Sequence, residues 1–421
     1  MERSESMRHS RRVVVTGCGV ISPVGLDVET FWSAVREGRS GIARVESFDV
    51  SDLSTRIAGE VRDFDPAPYM PHKVSRRLDR FAQFGLAAAI QAVDDAKLPT
   101  GDGDADPRLG VMVSSGYGSS RMQHWVTLEL ERRGPRGVPP YVSAAIAVDS
   151  PSAEVALRFR AGGPSGSVSA ACATGTMSIG EAALWIRSGR ADVVIAGGAD
   201  DSVTRLDLAA AGNARALSRR NDEPERACRP FDRDRDGFVM SMGAAVVVLE
   251  EAGHALARDA PILAEVAGYA ATTDAFHLTA PHPEGLGAVS AMRLALEDAG
   301  LGPEDVDYVN AHGTGTVLND RTESQAIRTV FGERATEIPI SSIKAVTGHM
   351  IGAAGAAELI ASVQAIREGV VPPTVNCENP EDPDLDYVPG RQRPASVRTV
   401  MSNSFGFGGH NAVLVIRAWE P

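Results

Sequence analysis

The feature that most constrains the fold is an order of elements that runs along the chain twice. Apolar strands expected at 12–21, 109–114, 192–196 and 244–250 are separated by helical stretches. After about Glu251 the same grammar restarts, with strand at 262–272, helix at 287–299 closed by Gly300, strand at 306–310 and helix at 320–331. It ends with strand at 338–341, helix at 353–366 and strands at 400–402 and 411–416. Near-continuous apolar strands alternating with helices imply sheets covered on both faces, an α/β layered fold. Residue identity between the two passes is faint, and no low-complexity linker parts them. With 421 residues the chain accommodates two such halves packed as one body, expected at 1–255 and 256–421.

Helix ends are legible within the first pass. Asp27 is a natural N-cap before Val28, Phe31, Trp32 and Val35, which share one face, and Gly38 is a stop. A second helix is expected at 79–96, and the strand at 109–114 runs into the loop Gly116-Tyr117-Gly118.

Composition excludes several classes. A net charge of −13 argues against sequence-independent nucleic-acid binding. No apolar run spans a bilayer, and Met1 to Arg12 reads as neither signal nor transit peptide. Four scattered cysteines (Cys18, Cys172, Cys228, Cys377) suit a reducing cytoplasm and offer neither a disulfide framework nor a zinc knuckle. Lys73, Lys97 and Lys344 are the only lysines, which draws attention to Lys344 as a place that requires a compact ammonium.

The chemistry centres on Ser167 to Gly180, where a short extended run meets small residues, then Cys172, then a helix expected up to Gly189. A helix head favours an anion and so shifts a thiol of pKa about 8.5 toward thiolate. Ala170, Ala171, Ala173 and Gly175 leave room for another molecule at the sulfur. His312 and His349 stand in glycine-rich turns after strands, where α/β sheets collect ligands. Read as zinc ligands, Cys172, His312 and His349 lack any short spacing. A Cys/His/Asn protease is the other reading, without that family's local signature. Asp232 to Gly237 imitates the start of a calcium loop, but Gly243 stands where its closing Glu is needed. Gly348 to Gly355 has the wrong spacing for a dinucleotide fingerprint. Asp320 with Glu323 reads as a helix start, and Glu323 is also placed to pair with Lys344.

Six stretches taken together resemble the elongating β-ketoacyl-acyl carrier protein synthases, of the synthase II type within the thiolase superfamily. They are Val15-Thr-Gly-Cys-Gly-Val-Ile-Ser-Pro-Val-Gly25, Ala171-Cys172-Ala-Thr-Gly, Arg229-Pro-Phe-Asp-Arg-Asp-Arg-Asp-Gly-Phe238, Ala311-His312-Gly-Thr-Gly-Thr316, Lys344-Ala-Val-Thr-Gly-His349 and Asn403-Ser-Phe-Gly-Phe-Gly-Gly409. They span nearly the whole chain in the family's order.

The resemblance implies a five-layered αβαβα fold of two duplicated halves, and a dimer that is either a homodimer or a heterodimer with a chain-length subunit. Cys172 would take an acyl chain as a thioester, with the N–H groups of Cys172 and Phe407 as oxyanion hole. His312 and His349 would polarise the malonyl thioester for loss of carbon dioxide, with Lys344 and Glu323 paired beside them. Thr314, Thr316, Tyr117, Ala211, Thr279, Phe405 and Phe407 would line the substrate path. Lys73, Arg76, Arg77 and Arg215 would meet an acidic acyl carrier protein, which brings phosphopantetheine with it, so no resident cofactor is expected. Asn310, Glu358, Ser402 and Asn403 match positions that hold a monovalent cation in some relatives.

The chain departs from the pattern in three places. Ala211 stands where Phe is frequent and Tyr117 where a smaller aliphatic is usual, which would widen and narrow the acyl path respectively. Ser241-Met242-Gly243-Ala244 replaces an acidic run. These departures leave two alternatives open, a polyketide ketosynthase paired with a chain-length partner and a non-catalytic scaffold. The intact Cys172 and both histidines argue against the scaffold. A degradative thiolase lacks its second cysteine here, and initiating synthases carry Asn where His349 stands.

Overall fold

A computed structural model describes residues 11–99, 101 and 103–421; the targeting expectation for the first ten residues lies outside them. Among the described residues nine strands join in one sheet. β1 (Val13–Ile21), β2 (Leu109–Ser114), β3 (Val193–Asp200) and β4 (Gly243–Glu251) come from the first half. β5 (Ala264–Thr273), β6 (Tyr308–Asn310), β7 (Ile340–Ser341), β8 (Thr399–Gly406) and β9 (His410–Arg417) come from the second. The order is β2-β3-β4-β1-β5-β9-β8-β6-β7.

The repeat is explicit in the pairing. β1 is antiparallel to β4, β4 antiparallel to β3, and β3 parallel to β2. Likewise β5 is antiparallel to β9, β9 antiparallel to β8, and β8 parallel to β6. The half-sheets join only through Val14–Glu265 and Val15–Ala264.

Helices α1 (Val28–Glu37), α2 (Arg80–Asp95), α3 (Ser120–Arg133), α4 (Thr174–Arg187), α5 (Leu286–Ala299), α6 (Val317–Phe331) and α7 (Ala354–Glu368) complete the layers. α2 covers the outer face of the first half-sheet, α4 and α7 fill the space between the half-sheets, and α5 and α6 cover the second. Side-chain alternation explains the stacking. Val247 and Leu249 face the middle layer while Val246 and Val248 face α2. Leu414 and Ile416 face the middle while Val413 and Val415 face α5. This is the thiolase-like five-layered arrangement.

α7 is buried nearly all round, with twelve of its fifteen residues buried, which requires its Ala- and Gly-rich sequence. The helices touch at Gly175 and Gly355. A Cβ on Gly175 would lie 2.7 Å from the Gly352 carbonyl, and one on Gly355 would lie 2.0 Å from Thr176 Oγ1.

The structure corrects two local expectations. α6 begins at Val317, and Asp320 is not its N-cap. Its carboxylate instead accepts the N–H groups of Thr314 (3.1 Å), Gly315 (3.1 Å) and Phe231 (2.8 Å), tying down the turn before the helix. The extended run before Cys172 forms no strand, only a bridge between Ser165 and Val111.

Candidate active site

Three loops at the ends of buried elements converge on a cavity of about 290 Å³. Cys172 lies in a 3₁₀ turn (Ala171–Ala173) leading directly into α4. His312 follows β6, and His349 follows the short helix Lys344–Thr347. The sulfur and ring nitrogens of Cys172, His312 and His349 lie within 4.8 Å of one another, all buried. Sequence separation hid this proximity because the three side chains come from different elements.

The hydrogen bonds fix which ring nitrogen carries the proton. The Ile351 N–H donates to His349 Nδ1 (3.2 Å), which leaves the proton on Nε2, an atom with no partner. The Lys344 ammonium stands 3.3 Å from His312 Nδ1, with the same consequence for His312. Burial, then Lys344, and for His312 also His349, hold both imidazoles well below the usual histidine range. Two neutral rings thus present Nε2–H groups to one cavity. This hydrogen bonding counts against the zinc reading. A metal-bound histidine donates through its other nitrogen, whereas here that nitrogen accepts.

The thiol does not behave as the helix-head argument expects. Burial pushes Cys172 up to about 11, and Lys344 with the N–H groups of Phe407 and Cys172 offsets only part of this. Cys172 is also buried rather than exposed, at 8% accessibility, though it lines the cavity. The resting group is therefore a thiol beside two neutral imidazoles. The backbone N–H groups of Cys172 and Phe407 both act on the thiol, so two donors stand beside the nucleophile, where an oxyanion hole is needed.

Lys344 pairs with Glu358, not with Glu323, and donates to the His312 carbonyl (2.6 Å). Glu323 accepts the N–H groups of His312 and Gly313 (both 2.8 Å) and Asn403 Nδ2 (3.1 Å), so it holds the His312 loop. Burial raises it to about 7.

Asn310 Oδ1, Glu358 Oε2, Ser402 Oγ and Asn403 Oδ1 are buried without a hydrogen-bond donor. Four orphaned hard oxygens, one of them from a carboxylate, are a donor set suited to an alkali cation.

The remaining expected residues divide. Tyr117, Thr279, Thr314, Thr316, Phe405, Phe407 and Arg215 line the cavity. The Thr314 and Thr316 hydroxyls lie 3.0 Å apart. Ala211 does not line it; it packs against the core beneath α2, so its small size does not widen this path. Lys73 and Arg76 are exposed, whereas Arg77 is engaged by Glu154 at 2.6 Å. The Ser241 to Ala244 departure acquires a physical reading. Val239 O accepts the His349 N–H (2.8 Å) and the Ser241 N–H donates to His349 O (2.9 Å), so this segment is a rail for the histidine. Met242 is fully buried with Ile351 in apolar surroundings that would leave a carboxylate unpaired.

Sequence reasoning missed Asp200, which ends β3 with no accessibility. Its signal was an acid closing an otherwise apolar strand. Among the described residues no helix is long and apolar enough to cross a membrane.

Comparison with known proteins follows the same lines. The family model for the β-ketoacyl synthase N-terminal domain matches residues 10–255, and that for the C-terminal domain matches 263–378. The chain is 44% identical to a 3-oxoacyl-[acyl-carrier-protein] synthase 2 of Synechocystis sp., over 97% of this chain and 99% of that one. It is 46% identical to the Coxiella burnetii protein of the same name, over 96% and 98%. Among solved structures it resembles the ishigamide ketosynthase/chain length factor (TM-score 0.90, 39% identity, 97% and 100% coverage). It also resembles a type II PKS ketosynthase, bound to the hexaketide, in complex with its acyl-carrier protein (TM-score 0.89, 34% identity, 97% and 100% coverage).

Proposed function

The chain belongs to the β-ketoacyl synthase family, and we propose that it condenses a Cys172-bound acyl chain with malonyl-acyl carrier protein, giving 3-oxoacyl-acyl carrier protein and carbon dioxide for fatty-acid elongation. The observation that carries this is the pair of Nε2–H groups facing the same cavity as the Cys172 sulfur.

The acyl donor's thioester carbonyl enters the space between the N–H groups of Cys172 and Phe407. Cys172 attacks that carbonyl; the oxygen's developing charge is met by those two N–H groups, and as the tetrahedral state collapses the carrier thiolate leaves and takes the proton released by Cys172. The malonyl thioester then directs its carbonyl at His312 and His349. As the bond to the carboxylate breaks, its electron pair passes into an enolate held by the two Nε2–H groups. The enolate carbon attacks the acyl carbonyl, and Cys172 leaves as thiolate and is reprotonated.

Glu323 and Lys344 position His312. An alkali cation held by Asn310, Glu358, Ser402 and Asn403 would supply positive charge beside the Lys344–Glu358 pair. Thr314 and Thr316 bind the phosphopantetheine arm, while Lys73, Arg76 and Arg215 meet the carrier protein. The enzyme works in the cytoplasm as a dimer. Supporting the dimer, α3 has no buried residue and exposes Trp125, Leu128 and Leu130.

A second reading, the ketosynthase of a polyketide pair with a chain-length subunit, is favoured by the ketosynthase/chain length factor neighbour. The test is intact-mass detection of acyl-Cys172 from carrier proteins charged with graded chain lengths, followed by malonyl-carrier protein. Accumulation of 3-oxoacyl product is expected. An unacylated Cys172 across all lengths overturns the assignment, and activity only after addition of a homologous subunit selects the second reading.

A further inference from the structure

The internal repeat relates the head of α4 to the head of α7 residue by residue. Ala171 and Ile351 both take left-handed backbone angles (φ 48° and 50°). Each opens a three-residue 3₁₀ turn, and the N–H groups of Ala173 and Ala353 donate to Ala170 O and Met350 O, both at 3.0 Å. In this correspondence Cys172 matches Gly352. The strand ends match too: Gly406 closes β8 opposite His410, and Asp200 closes β3 opposite Gly243.

At the head of α4 the Cys172 N–H faces Gly406 and Phe407, and the space between is the oxyanion hole. At the head of α7 the Gly352 N–H donates to Asp200 Oδ2 at 2.7 Å. Asp200 further accepts from Ser115 Oγ (2.5 Å), Gly116 N (3.1 Å) and Tyr117 N (3.4 Å), and among the described residues no basic side chain pairs with it. Glycine is required where the carboxylate sits. A Cβ on Gly352 would fall 2.4 Å from Asp200 Oδ2, and one on Gly116 would fall 3.2 Å from it.

We propose that Asp200 is a positioning residue whose carboxylate fills, at the head of α7, the place a substrate oxyanion takes at the head of α4, locking the Tyr117 loop to the His349 loop. The route to the chemistry is short. Gly352 follows Ile351, whose N–H sets the His349 tautomer, so fixing the Gly352 amide fixes the donor that His349 presents. On the other side, Ser115 relays the clasp to Gly118 N (2.7 Å) and so shapes the turn carrying Tyr117. The charge also reaches Cys172, which it raises against the opposing Lys344; the other titratable or charged groups lining the cavity are His312, His349, Tyr117, Asp236, Asp274 and Arg215.

The proposal rests on the condensing reaction assigned above, and its test separates the two. Full-length wild type, Asp200→Asn (same volume, no charge), Asp200→Ser and Ser115→Ala are compared. The readouts are malonyl-carrier protein decarboxylation, the pH dependence of Cys172 alkylation by iodoacetamide, and thermal unfolding. Both Asp200 variants are expected to lose about tenfold or more in kcat with KM within roughly twofold. In Asp200→Asn the alkylation midpoint moves to lower pH by about half a unit or more. Ser115→Ala keeps the fold and shows the same kcat change at smaller size. Wild-type kcat and an unmoved alkylation midpoint in the Asp200 variants overturn the proposal, even if they melt earlier. If those variants do not fold, an unchanged kcat in Ser115→Ala overturns it. A wild-type protein that neither decarboxylates nor alkylates overturns the reaction instead.

Discussion

The heads of α4 and α7 have the same backbone turn, each opened by a left-handed residue, and corresponding strand ends beside them, yet only one is open to substrate. Cys172 carries its side chain into a cavity, and the strand opposite ends in Gly406, which leaves space. Gly352 carries no side chain, and the strand opposite ends in Asp200, which takes that space. A duplicated fold provides two electropositive helix ends at its centre. The contrast teaches that the site was made asymmetric by exchanging which side of the gap bears the functional group.

The most severe break in that comparison is Cys172→Ala. Condensation is expected to fall by roughly 10³-fold or more, while malonyl decarboxylation, which draws on the imidazoles, persists. Carbon dioxide release and 3-oxoacyl product measured together check this. His349→Ala removes one of the two Nε2–H donors and is expected to slow decarboxylation by about 10²–10³-fold, with acylation of Cys172 by a saturated donor less affected. Lys344→Met leaves Glu358 buried without its cation and should cost about 3–5 kcal/mol in chemical denaturation. Adding Glu358→Gln should recover part of that loss. Gly352→Ala tests the closed head directly. Its methyl meets Asp200 and the Gly116 N–H (2.7 Å), so a loss of about 1–3 kcal/mol is expected.

The smallest effect is on pH dependence. Asp200 is raised to about 6 and Glu323 to about 7, both chiefly by burial. Between the ordinary carboxylate range and those values the native state keeps protons that the unfolded chain has released. These two groups therefore contribute a slope in which stability declines as pH rises from about 4 to about 7, opposed by the buried neutral His312 and His349, whose contribution rises with pH up to the ordinary histidine range. Asp200→Asn and Glu323→Gln should each flatten that slope in urea titrations.

Periodicity carried the layers because strands such as β4 and β9 bury both faces, and caps such as Asp27 and Gly38 act locally. The motifs carried Cys172, His312 and His349. What escaped is relational. Glu358 in place of Glu323 as partner of Lys344 depends on how α7 crosses the histidine loops. The inward position of Asp320 depends on a turn starting three residues earlier. The height of the Cys172 pKa depends on how deeply a whole layer is covered, which no window around the cysteine contains.

The contact of α4 with α7 at Gly175 and Gly355 carries a consequence for how such a molecule diversifies. With so little clearance between the two central helices, the reacting triangle has no means of expanding, and any addition of bulk there is paid across both halves at once. Variation in what the protein accepts is therefore confined to the rim, at Tyr117, Thr279 and Phe405. New specificities should arise by exchanging those loops over an unaltered interior.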